Sequence, residues 1–343
     1  MADLSRACKQ QRRGGGKGGG GRSRRKWNEK ARMMTRRRRR RSAVAYACVQ
    51  KGEGDVLVRA VDKSNFVRVS CVCAGSLVQS ALERHKMSPT AAAALGRGLM
   101  GTLLLVAGRE EGESIQALFR GDGMLGSMLC LADSTGNVKG RVGNATAHNE
   151  SLNVGDVMGN GTLSVSRTLP FAKEPYTGTV ELHNGEIGDD IAVYLAQSEQ
   201  VHSAIGLGIT LQPDAAVEHA AGFLVQVMPD CDESTLSKLE VNVDALPAPT
   251  ELMKEGKSAE DIAHILLDGL EPRTVDTVVP QYGPCARGDL QNRMLKALAL
   301  IDREEVDSIL DERGDIEMTC EFCAETHTFS REEVESFLAH VKL

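Results

Sequence analysis

Ile316-Glu317-Met318-Thr319-Cys320-Glu321-Phe322-Cys323-Ala324-Glu325-Thr326-His327-Thr328-Phe329 is the stretch on which the reading of this chain turns. Ile316 to Thr319 reads as a short strand entering the cysteine turn, and Thr326 to Phe329 as the returning strand. A C-x-x-C turn between two strands is a knuckle: it points two thiolates at one metal, and Zn²⁺ takes four such ligands in a tetrahedron. One C-x-x-C is only moderately specific. Cys285, 35 residues upstream behind Tyr282-Gly283-Pro284, offers a third ligand, and His327 or, next, Asp289 is a candidate fourth. By spacing alone, three unrelated thiols or a purely structural zinc compete with a functional site.

Outward from the knuckle, Ser330 and Glu333 form a capping box ahead of a final helix. Leu290, Met294, Leu298 and Ile301 recur at helical spacing, and Gly314 stands where a helix C-cap belongs. Together these delimit a small C-terminal domain at residues 279–343. Residues 231–278 read as an acid-rich helical linker, with Ser258 and Asp261 capping a run through Ile262, Ile265 and Leu266, and Pro247 and Pro249 breaking it.

Residues 51–230 carry mixed signals of strand and helix. Val56 to Val61 and Phe66 to Val69 make an opening hairpin. Ser88-Pro89 offers an N-cap with proline at the first helical position, ahead of a buried, Ala-rich helix from Thr90 to Ala107. Strands with glycine turns follow at Ser114–Phe119, Met128–Ala132 and Val138–Val142, then at Gly161–Ser166 and Gly178–Leu182. A helix is expected at Asp189–Gln197, and strands at Ile205–Leu211 and Ala221–Met228. The fold class is therefore α+β, with a mixed-sheet domain, a helical linker and a small zinc-binding C-terminal domain.

The chain has 343 residues, 41% apolar and 26% charged, as a soluble globular protein does. Its net charge of −6 hides an asymmetry: residues 1–42 hold 17 Lys and Arg against 2 acids, leaving 24 basic and 45 acidic residues in the other 301. So acidic a body does not bind nucleic acid by counterion release; only the first segment could. Residues 1–50 form an Arg/Gly-rich, low-complexity tail, disordered by composition. It suits an organelle transit peptide, a nucleic-acid-binding arm or a misplaced start codon. No run of 18 apolar residues marks a membrane span. Nine cysteines without a secretory signal point to a reducing compartment, where cysteine clusters mean metal or redox chemistry.

Other motifs are weaker. Cys71 and Cys73 point to one side of a strand and read as packing residues. Gly96-Arg97-Gly98-Leu99-Met100-Gly101 matches G-x-G-x-x-G, but it follows a helical stretch and not a strand, so close helix packing is the better reading. No phosphate-binding G-x-x-x-x-G-K-S/T, nucleophile elbow or H-E-x-x-H occurs, and no catalytic residues are assigned; the chain reads as a non-enzyme.

Taken together, these pieces resemble the 33 kDa chaperonin family of redox-regulated heat-shock chaperones. The resemblance rests on Ser88-Pro89-Thr90-Ala91, Gly121-Asp122-Gly123-Met124-Leu125-Gly126, Gly140-Arg141-Val142-Gly143-Asn144, Gly222-Phe223-Leu224-Val225-Gln226 and Cys320-Glu321-Phe322-Cys323, in order between Asp55 and Phe337. It implies a substrate-binding domain, a metastable helical linker and a zinc switch in which oxidation forms disulfides, expels zinc and uncovers a surface that holds clients without ATP. It also implies unfolded proteins as partners, a homodimer as a candidate oxidised form, and the cytoplasm as compartment; the plastid stroma or mitochondrial matrix would follow from a transit peptide. No small-molecule substrate, nucleic acid or membrane is expected as partner.

The chain departs from the family at one place. Where the family has C-x-C, it reads Gly283-Pro284-Cys285, so the first ligand and the upstream disulfide are missing. The resemblance carries Cys285, Cys320 and Cys323 as zinc ligands, and Cys320–Cys323 as the redox-active disulfide. Two rivals come from other classes: a zinc-knuckle nucleic-acid binder, disfavoured by the acidic body, and a thiol oxidoreductase using Cys320 and Cys323, which lacks an identifiable base and pocket.

Overall fold

The computed structural model describes residues 54–212, 216–283, 285 and 290–340. They form two compact units, one ending at Tyr282 and the other starting at Gly283. In chain order the first unit begins β1 (Val56–Val61), β2 (Val67–Cys73), α1 (Gly75–His85), α2 (Pro89–Val106), β3 (Ser114–Gly121), β4 (Ser127–Asp133) and β5 (Asn137–Val142). Next come α3 (Val154–Met158), β6 (Gly161–Thr168), β7 (Tyr176–Glu181), α4 (Ile187–Gln197), β8 (His202–Leu211) and β9 (Val217–Val227). It closes with α5 (Glu233–Ala245), α6 (Pro249–Lys254), α7 (Ala259–Leu266), β10 (Arg273–Val278) and β11 (Gln281–Tyr282).

Two sheets result. One has the order β10-β1-β2-β9-β8 and is antiparallel throughout. The other has the order β11-β5-β4-β3-β6-β7, with β11 parallel to β5, so it is mixed. Helix α2 packs on strands of both sheets. Its start follows the sequence signals: Ser88 accepts from the Ala91 N–H at 3.3 Å, and Pro89 needs no partner at the first helical position.

The three glycines of the G-x-G-x-x-G match lie inside α2. A Cβ at Gly98 would stand 2.8 Å from Met128 Cε and 2.9 Å from Cys130 Sγ; one at Gly96 would collide with Ile209 and Val78, and one at Gly101 with Ile191. The glycines let α2 approach its neighbours and cradle no phosphate. Helix α2 is long and apolar enough to cross a bilayer, and 89% of it is buried within the fold.

Strand alternation splits the first unit's apolar residues into two cores. Leu57 of β1 and Val72 of β2 face α2, whereas Val58, Val69, Cys71, Cys73, Phe223 and Val225 face the other way. That second face is covered by α5, α6 and α7, through Leu239, Leu252, Ile262 and Leu266. Asp232 caps α5 by accepting from the Ser234 and Thr235 N–H groups at 2.9 Å each, Pro249 opens α6, and Ser258 with Asp261 forms the capping box of α7.

The helical linker expected at 231–278 is therefore corrected in one respect: it ends in β10, an edge strand on β1. Arg59 and Asp276 form a two-bonded ion pair across that edge. Along Arg273–Val278 exposure alternates but each side mixes a valine with polar residues, so no apolar alternation marked the strand in an acid-rich stretch. Helix α1 was not foreseen either; Ala74 gives it no side-chain cap.

The second unit holds α8 (Leu290–Leu298), α9 (Arg303–Arg313), β12 (Asp315–Thr319), β13 (Thr326–Ser330) and α10 (Arg331–His340). Leu290, Met294, Leu298, Val306, Leu310, Ile316, Phe329 and Val334 are its core, joined by Cys285 and Cys323. Gly314 adopts φ +83° and ends α9, as the sequence indicated. Ile301 does not continue α8: it is 40% exposed in the turn before Asp302. The tail 1–50, with Cys8 and Cys48, lies outside the described residues.

Candidate metal centre

The knuckle is built by the hairpin that frames it. Thr319 pairs with Thr326 and Met318 with His327, and the two threonine hydroxyls meet at 2.9 Å. Inside the turn the Cys320 N–H donates to the Glu325 carbonyl at 2.9 Å, and the Ala324 N–H to the Cys320 carbonyl at 2.8 Å. Ala324 takes φ +55°, which folds the chain back tightly enough to bring both sulfurs to one side.

Cys285, Cys320 and Cys323 place their sulfurs within 4.8 Å of one another, the one group of three or more metal-ligating side chains among the described residues. The Cys320 and Cys285 sulfurs are 3.8 Å apart. Two sulfurs bound to zinc at ~2.3 Å and the tetrahedral angle would be about 3.8 Å apart, so this edge fits the metal.

The electrostatics point the same way. Burial pushes the Cys320 thiol up, but the backbone N–H groups of Cys323 and Phe322, helped by the neighbouring thiols, outweigh it and hold the group below its ordinary value. Burial, then the neighbouring Cys320 and Cys323, push Cys285 up to about 12. Burial also raises Cys323. One thiolate is thus favoured and a second and third are opposed by burial and charge. A bound cation reverses that opposition, which is how a metal deprotonates coordinating thiols.

His327 lies on the returning strand, and its ring nitrogens do not join the three-sulfur group. Nδ1 is 3.2 Å from Gln291 Nε2, while Nε2 is buried and has no hydrogen-bond partner. Asp289 lies outside the described residues. Gly283 adopts φ +103°, a backbone conformation that disfavours a cysteine at that position.

The remaining described cysteines are elsewhere and buried: Cys71 and Cys73 in β2, Cys130 in β4, and Cys231 beside Leu236. A feature with no sequence signature precedes the centre. The Tyr282 hydroxyl donates to the Gly140 carbonyl and meets His85 Nε2, and the Arg84 guanidinium lies 5.5 Å from the tyrosine ring centre. Only the residue's position just ahead of Gly283 could have drawn attention to it.

Similarity to known proteins covers most of the chain. A family model described as Hsp33 protein matches residues 55–330. The 33 kDa chaperonin of Clostridioides difficile is 37% identical over 288 residues, covering 82% of this chain and 97% of its own. That of Aquifex aeolicus is 37% identical over 295 residues, covering 82% and 89%. A crystal structure of the 33 kDa chaperonin (heat shock protein 33 homolog) from Thermotoga maritima matches with a TM-score of 0.76 at 28% identity, covering 83% of this chain and 98% of the other.

Proposed function

Because the chain belongs to the Hsp33 family, we propose that it is a redox-regulated chaperone that holds unfolding proteins without ATP, its switch being Cys285, Cys320 and Cys323. The observation that carries this reading is the three-sulfur cluster in a small unit, downstream of helices that cover an apolar sheet face. Zinc, when bound, holds the sulfurs as thiolates and ties Cys285 to the knuckle. The fourth ligand in this reading is His327, whose buried Nε2 has no hydrogen-bond partner.

The second unit has a small core, so losing the tie between Cys285 and the knuckle removes much of what holds it folded. Peroxide oxidises the thiolate of Cys320 to a sulfenic acid, and Cys323 displaces water to form a disulfide. Residues 232–343 hold 25 acids and 11 bases, and that surplus drives the opened segment apart. Chain continuity passes the loss through β11 and β10 to α5–α7, which leave Val69, Phe223 and Val225 to meet apolar segments of a client. A homodimer of the oxidised form belongs to the same reading. So does a reducing compartment: cytoplasm, or an organelle matrix or stroma if residues 1–50 are a transit peptide.

The test is light scattering of a heat-denatured client, without ATP, with the full chain either reduced and zinc-loaded or peroxide-treated. Suppression should belong to the treated sample. Equal suppression by both would remove the redox switch.

A further inference from the structure

Cys71 and Cys73 occupy alternate positions of β2, on the face turned away from α2. Cys71 is fully buried and Cys73 is 8% exposed. Their cover is the linker helices: α7 packs across β1 and β2, and Ile262, Ala263 and Leu266 belong to the same apolar cluster as the two sulfurs. Burial, followed by the adjacent Cys73, raises the Cys71 thiol well above its ordinary value, so Cys71 is silent while covered.

We propose that Cys71 and Cys73 are a second, covered thiol site that takes a low-molecular-weight disulfide once α5–α7 leave the sheet, and that the adduct then keeps those helices off. The proposal rests on the release of the helices described above. The two thiols do not join to each other within the folded sheet. Residues two apart in a strand have Cα atoms about 6.7 Å apart, at the far limit for a disulfide, and β2 is held on both sides by β1 and β9.

Each sulfur therefore reacts outward. The uncovered thiol loses its proton to solvent, the thiolate attacks one sulfur of the small disulfide, a protein–small-molecule S–S bond forms, and the other half departs as a thiolate. One disulfide is consumed and one formed, with no further oxidant. The attached group fills the volume that Ile262 and Leu266 occupied, so α7 cannot return until a thiol reductant removes it. An uncovered sheet would thus stay uncovered after the first oxidant is gone.

The test uses the full chain and oxidised glutathione as probe, with adducts located by peptide mass spectrometry. Ile262→Glu opens the cover without peroxide, because a carboxylate cannot stay buried against β1 and β2. Adduct formation at Cys71 or Cys73 should be about 100-fold faster in that variant than in the reduced, zinc-loaded protein. Leu266→Ala, a milder loss in the same contact, should fall between them. The adduct-bearing Leu266→Ala chain, whose cover can close again once the adduct is gone, should suppress client aggregation until dithiothreitol is added. No adduct at either cysteine in both variants would overturn the proposal. Adducts in the variants but none in peroxide-treated wild type would leave the site standing and refute helix release on oxidation.

Discussion

Tyr282 donates its hydroxyl proton to the Gly140 carbonyl at 3.0 Å and, at the same distance, meets Nε2 of His85. That arrangement assigns the proton of His85 to Nε2, which donates to the phenol. The residue after Tyr282 begins the second unit, so these bonds pin the point where the chain leaves the mixed sheet. Tyr282→Phe keeps the ring and the Arg84 contact but strands the imidazole N–H and the Gly140 carbonyl. The expected cost is about 1–2 kcal/mol in urea unfolding, with client holding set off by less peroxide than in wild type. An unchanged unfolding midpoint would mean that the anchor does not stabilise the fold.

Zinc content separates the candidate ligands. Cys320→Ser should abolish stoichiometric zinc, because two thiolates and one further group are too few for a closed site. His327→Ala should weaken zinc by about 10- to 100-fold or more, whereas Thr328→Ala, pointing to the other side of β13, should not. A competition titration against a chromophoric chelator reads both. Unaltered affinity in His327→Ala would move the fourth ligand elsewhere, with Asp289 the next to change.

These two cases also mark how far the sequence was readable. Signals carried within a few residues were legible: the Ser88 cap, the Ser258–Asp261 box, the Gly314 terminus and the knuckle strands all depend on local hydrogen bonds. Helix α1, strand β10 and the Tyr282 anchor were not, because Ala74 offers no side-chain cap, β10 takes its shape from Arg59 and β1, and the anchor joins residues 197 apart. Spacing also nominated His327; its ring nitrogens are not grouped with the three sulfurs, and its buried Nε2 has no hydrogen-bond partner, which only the fold could reveal.

Asp190 should make stability depend on pH. It is fully buried; Oδ1 accepts from the His183 and Asn184 N–H groups at 2.7 and 3.3 Å, and Oδ2 has no hydrogen-bond partner. Burial, only partly offset by those N–H groups, raises its carboxyl from 3.8 to about 6. A raised carboxyl means that the folded state binds the proton more tightly, so ionisation costs stability above pH 6, by about 3 kcal/mol, and the cost lifts as pH falls towards 4. Asp190→Asn keeps the Oδ1 acceptor and removes the charge. Its stability relative to wild type should therefore be highest at pH 7.5 and decline towards pH 4.5; a difference that is flat with pH would contradict the assignment.

Peroxide should produce one disulfide in the switch, between Cys320 and Cys323. Cys320 is the thiol held below its ordinary value, so it is the first to be oxidised. Two sulfurs can then resolve it, and Cys285, at 3.8 Å, is no farther than the reaction needs. Once zinc has left, burial and its two neighbours lift the Cys285 thiol to about 12 and return its proton, while Cys323 stays within three residues of Cys320 however far the unit opens. The short loop keeps Cys323 in reach after Cys285 has drifted off, so exchange would also converge on the C-x-x-C bond. With Gly283 in place of an upstream thiol, Cys285 has no close partner left. It should then be alkylated by iodoacetamide, or be found over-oxidised or joined to a distant thiol such as Cys231. Two thiols lost should accompany one zinc released, read by thiol titration beside a zinc indicator, and peptide mapping should return the Cys320–Cys323 link. A dominant Cys285–Cys320 link, or zinc retained after two thiols are gone, would show that the three sulfurs do not divide into a reacting pair and a remainder.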